Sequence, residues 1–74
     1  MGMYVGMYVD LVRVVPSKLF EGGPDAVRKG APGLWNAFKF HPRVRELVRD
    51  GMGTESAVEK VVFETWEENL IDFV

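Results

Sequence analysis

Apolar and polar positions alternate along residues 3–15. Met3, Val5, Met7, Val9 and Leu11 fall on one side of an extended chain, and Arg13 breaks that side near its end. Tyr4, Gly6, Tyr8, Asp10, Val12 and Val14 fall on the other side. A period of two, with one apolar and one mixed side, predicts a β-strand covered on one face. The segment is long for a strand, so Gly6 is expected to mark a bulge or bend. Pro16 ends it, because proline cannot donate to a ladder. A strand alone leaves its N–H and C=O groups unpaired on both edges. Residues 3–15 are therefore expected to pair, either with a short C-terminal strand at 70–74 or with the same strand of a second copy.

Beyond Pro16 the pattern becomes helical and is cut into short pieces by Gly and Pro. Ser17 is expected to cap a turn over 18–21 that Gly22 and Gly23 stop. Pro24 suits the first position of a helix over 25–29, closed by Gly30. Pro32 opens a piece reaching Phe40, with Leu34, Trp35 and Phe38 on one face. His41 precedes Pro42 and is pushed out of helix. A new helix then covers 43–50, with Val44, Leu47 and Val48 on one side. Gly51-Met52-Gly53 is a tight connection. Thr54 or Ser56 is expected to cap a last helix over 55–69, and Ser56 with Glu59 matches a capping box. Val58, Val61, Val62 and Trp66 form its apolar stripe, and Glu55, Glu59, Glu64, Glu67 and Glu68 lie largely on polar faces. The fold class expected is α+β: one long strand packed by short helices and one longer C-terminal helix, in a single domain over 1–74.

Length and composition narrow the supports available to such a fold. A chain of 74 residues buries a small core and is marginal without disulfides, metals or self-association. With no Cys and one His, disulfides, thiolate metal sites and multi-His sites within one chain are excluded. Apolar content of 47% is ample for folding, so packing and self-association remain. A homodimer with antiparallel N-terminal strands is the expected assembly, since each strand offers its copy the same edge. The uncharged run over residues 1–9 is too short to span a bilayer and lacks the parts of a signal peptide, so a cytoplasmic location is expected.

Charge is divided along the chain. Residues 26–49 hold six Lys/Arg and one acid, whereas residues 50–74 hold seven acids and one Lys. The two segments are expected to neutralise each other in the fold or to leave a dipolar surface.

Chemistry-bearing candidates are few. The helix–turn–helix spacing over 42–69 suggests DNA binding, but its second helix is the acidic one and would repel a polyanion. Arg43, Arg45 and Arg49 on the preceding helix are the alternative nucleic-acid contacts. Gly51-Met52-Gly53-Thr54 leads into a helix N-terminus, yet Glu55 and Glu59 occupy that positive end. His41 has the pKa of a general base but no nucleophile at a recognised spacing, so a helix-boundary role is expected. Glu64 and Glu68 stand four apart as a solvated row, without the split environments acid–base catalysis needs. Trp35, Phe38, Phe40, Phe63 and Trp66 are expected in the core. Any one left exposed beside charge would have the composition of a binding hot spot.

The opening Met-Gly-Met, the Tyr/Val strand and Val-Pro-Ser-Lys-Leu resemble the start of the uncharacterised YfbM-like bacterial proteins, over about the first twenty residues. That resemblance implies no activity and no site residue. The residues themselves lead to a non-catalytic interaction module, such as an adaptor, inhibitor or structural subunit. It would use an acidic helix face of Glu64, Glu67 and Glu68 with Trp66, need no cofactor or metal, and take a protein partner of undetermined identity. A small nucleic-acid-binding regulator using Arg43, Arg45 and Arg49 is the alternative.

Overall fold

The computed structural model describes the backbone of residues 3–73 and the side chains of residues 7–68. Among the described residues six helices follow one another: α1 (Met3–Arg13), α2 (Ser17–Glu21), α3 (Pro24–Gly30), α4 (Pro32–Phe38), α5 (Pro42–Arg49) and α6 (Thr54–Phe73). No strand occurs among the described residues, so the expected α+β class is corrected to all-α. Residues 3–13 wind into α1, and residues 70–73 continue α6 instead of forming a second strand. Val74 lies outside the described residues. The homodimer expected through paired N-terminal strands has no strand to form through, and the main-chain argument for it lapses.

The N-terminal segment is helical because its apolar residues also satisfy the helical period. Tyr8, Leu11, Val12 and Val15 follow the i, i+3, i+4, i+7 spacing of one helix face. Tyr8 and Val12 are buried, and Leu11 and Val15 pack partly buried beside them. Met7, on the side expected to face the core, is 49% exposed. Gly6 and the β-branched valines each disfavour helix by at most about 1 kcal/mol. Burying a Val- or Phe-sized side chain contributes about 1.5–3 kcal/mol, so the buried stripe decides. A helix also satisfies its own main chain, which removes the demand for a neighbouring edge.

α6 is the spine. α1, α4 and α5 pack against it, while α2 and α3 carry the chain from α1 across to α4. Val27, Phe38, Val44, Ala57, Val58, Val61 and Val62 form the deepest part of the core. Two aromatic groups flank it. Tyr8 meets Phe38 edge-on at 5.0 Å, and Phe20 stacks on Trp66 at 4.9 Å with Phe63 edge-on to both. Trp35 is buried and donates its indole N–H to Glu55 Oε2 at 2.9 Å, tying α4 to the first turn of α6. A buried indole needs such an acceptor.

The turns follow Pro and Gly closely. Pro24, Pro32 and Pro42 each stand in the first helical turn. Ser17 is itself the first residue of α2 and forms no side-chain cap. Because α6 starts at Thr54, with the Ala57 N–H bonded to the Gly53 carbonyl, Ser56 lies inside the first turn and not at the cap. After α5 the Gly51 N–H bonds to Val48 O at 3.1 Å and the Met52 N–H to Leu47 O at 3.0 Å. That pair is a Schellman closure, with Gly51 at φ +110° and Leu47 and Met52 both packed on the core. A side chain at Gly51 would meet open space, so only backbone strain opposes it. Gly51→Ala is expected to cost about 1 kcal/mol or more in chemical denaturation, with the slope on denaturant unchanged.

Candidate functional site

His41 stands where α1, α4 and α5 meet. It is 8% exposed, its ring lies parallel to Phe38 at 5.5 Å, and Tyr8 tilts against it at 4.6 Å. Its backbone N–H bonds to Phe38 O at 3.0 Å, and its carbonyl accepts the Arg45 N–H at 3.0 Å. Its Nδ1 accepts the Arg43 N–H at 3.1 Å, which makes the side chain the N-cap of α5. An accepting Nδ1 places the proton of the neutral ring on Nε2. Burial lowers the pKa below the ordinary 6.5, and the Arg43 guanidinium adds to the shift. His41 is thus a structural cap with one nitrogen spent, which accords with the helix-boundary role.

Beside it lies a cavity of about 130 Å³, with Tyr8, His41, Arg43, Glu64 and Glu68 among the residues lining it. Glu64 bridges Arg43 and Lys60, at 3.3 Å to each, and so links α5 to α6. All three side chains are partly exposed, so each bridge contributes at most about 1 kcal/mol. The Thr65 hydroxyl donates to Val61 O at 2.8 Å, within the helix.

The opposite side of α5 is basic and open. Arg45 and Arg49, one turn apart, line a shallow groove of about 340 Å³ together with Lys39, Val48 and Thr54. The same two arginines border a second hollow of about 310 Å³ with Pro42 and Glu46. Phe40, next in the chain to Lys39, is 73% exposed, and Val48 is partly exposed. No ion-pair partner of Lys39, Arg45 or Arg49 is found among the described residues. Phe40 reaches solvent because α4 ends at Phe38 and the chain turns toward Pro42, which leaves it off the Leu34–Phe38 face.

The expected site residues separate between these regions. Arg43 is held by Glu64, whereas Arg45 and Arg49 share the basic groove. Glu67 and Glu68 are exposed on α6. Trp66 is half-buried against Phe20, and its flat stacking makes it part of the packing. The exposed aromatic beside charge is Phe40. Lys39 is an addition, whereas Phe40, expected in the core, and Val48, expected on the apolar side of its helix, are corrected to exposed positions. The signal available for Phe40 was its position, two residues beyond Phe38 and two before a proline.

No protein-family model, curated protein or solved structure matches this chain. No helix among the described residues is long and apolar enough to cross a membrane.

The shift at His41 sets a pH dependence. With the folded value below 6.5, the unfolded chain takes up its proton first as pH falls. The His41 contribution to stability is therefore complete above the ordinary value and is lost as pH drops from it toward the folded value. Urea midpoints for the wild type should fall across that interval, and those of His41→Asn, which keeps a capping acceptor, should not.

Proposed function

We propose that this chain is a cytoplasmic, non-catalytic interaction module that holds an acidic segment of a partner protein against the α4–α5 face. The observation that carries this reading is Phe40. It is 73% exposed and adjoins Lys39 in the chain, while Arg45 and Arg49 line the groove that Lys39 also lines. Aromatic and Arg side chains dominate interface energetics, and cations around them select acidic partners and speed encounter. The groove supplies a shape for the partner's chain, and Val48 adds apolar area within it.

A protein segment suits this face better than a nucleic acid. The cationic patch is confined to a few side chains, and the molecule as a whole carries −2. Duplex DNA presents a charge about every 1.7 Å, so a long polyanion would run past so small a patch, which itself includes Glu46 beside Arg45 and Arg49. Arg43, one of three arginines in the nucleic-acid alternative, is engaged with Glu64. The acidic face of α6 keeps Glu67 and Glu68 exposed, while Glu64 and Trp66 are occupied in packing α5 and α2.

A fluorescent Asp-rich peptide containing one Leu and one Phe is the test probe. Arg45→Glu with Arg49→Glu should weaken its binding about tenfold or more, as should Phe40→Ala, the equivalent of about 1.4 kcal/mol. Glu67→Lys with Glu68→Lys should leave it bound. Loss in the α6 variant alone, tested with a Lys-rich peptide, would return the site to the acidic face. Preference for a single-stranded oligonucleotide, with steep weakening in salt, would favour the nucleic-acid alternative.

A further inference from the structure

We infer that His41 makes the basic docking face acid-labile: protonating its imidazole withdraws the acceptor that caps α5 and loosens the first turn of the helix that carries Arg45 and Arg49. This inference rests on the docking reading above and adds a control to it.

The geometry leaves little alternative path for a proton. In the neutral ring Nε2 already carries hydrogen, so the proton arriving in acid goes to Nδ1, the atom holding the Arg43 N–H at 3.1 Å. A protonated Nδ1 is a donor facing a donor. It also places a positive charge at the N-terminal end of α5, where the helix dipole is itself positive. Pro42 has no N–H to offer, and the Arg43 N–H loses its side-chain acceptor. The cap cannot swing aside freely, because the ring is fixed between Phe38 of α4 and Tyr8 of α1.

The charged and titratable surroundings are few. Tyr8 comes from α1, Arg43 from α5, and Glu64 and Glu68 line the neighbouring cavity from α6, while the α4 contact, Phe38, is apolar. The two carboxylates would favour the imidazolium, but Glu64 is divided between Arg43 and Lys60, and Glu68 is open to solvent. The lowered pKa of His41 agrees with the outcome that burial and Arg43 prevail. His41 is the single histidine of the chain, so no second imidazole confuses the interval.

The test is an NMR titration of the whole chain from about pH 7.5 to about pH 5.0, with and without the Asp-rich peptide, whose carboxylates stay largely ionised throughout. Three results are expected. The Kd should rise about fivefold along the His41 titration, at the low end of ordinary coupling between sites. The protection factor of the Arg43 amide, its exchange rate compared with the intrinsic rate at each pH, should fall along the same curve. Saturating peptide should move the His41 titration to lower pH, as reciprocal linkage requires. Simple attraction by a nearby polyanion would move it to higher pH, so that sign overturns the inference. So does a Kd that is constant or falls with acid, or an Arg43 amide indifferent to His41. His41→Asn should bind at the upper pH as the wild type does and lose the pH dependence; an unchanged dependence also overturns it. Absence of peptide binding at every pH removes the docking reading and its control together, and the Arg43 amide then reports separately whether acid releases the cap.

Discussion

The contact between Tyr8 and the Phe38–His41 pair fixes where the first helix sits against the rest of this small fold. It joins the first helix to the fourth and to the cap of the fifth, two neighbouring elements that come much later in the chain. A paired aromatic contact adds about 0.5–1.5 kcal/mol beyond the area it buries, which is large beside the stability of a chain this short. Without disulfides to restrict the unfolded state, each such long-range contact weighs heavily. The same contact selects the conformation of α1. As a strand, the segment needs an edge partner. As a helix, it satisfies its own main chain, sets Tyr8 on Phe38 of α4, buries Val12 and packs along α6.

The fifth helix has two faces with different duties. One face is fastened: Val44 is in the core, Arg43 reaches Glu64 on α6, and His41 closes the N-terminus. The other carries Arg45 and Arg49 to solvent. Some of the charge asymmetry of the chain is thus neutralised internally and some remains as surface. The orientation of the free cations depends on a helix only eight residues long. Isolated helices of that length do not persist in water, so the caps and the packed face determine whether the arginines are presented at all. This is the physical link between a buried imidazole and an exposed binding face.

The helices between residues 17 and 49 were readable because proline and glycine mark their ends with few alternatives. The beginning of the chain was not. Alternation of period two and a helical stripe share the four-residue spacing from Tyr8 to Val12, and only the tertiary surface awaiting Tyr8 distinguishes them. The last residues misled for the same reason, since a short apolar run fits a strand or the end of a long helix. At the site, the boundary role of His41 was visible from Pro42, but its capping bond and burial are properties of three packed helices. Arg45 and Arg49 were visible as cations. Their separation from Arg43 was not, because it depends on where α6 places Glu64.

The direct measurement is a solution NMR assignment of the intact chain, reading Cα secondary shifts over residues 3–13 together with NOEs from the Tyr8 ring. The account predicts helical shifts across the segment and intramolecular NOEs from Tyr8 to the rings of Phe38 and His41. Extended-chain shifts, with cross-strand NOEs between two copies, would contradict it.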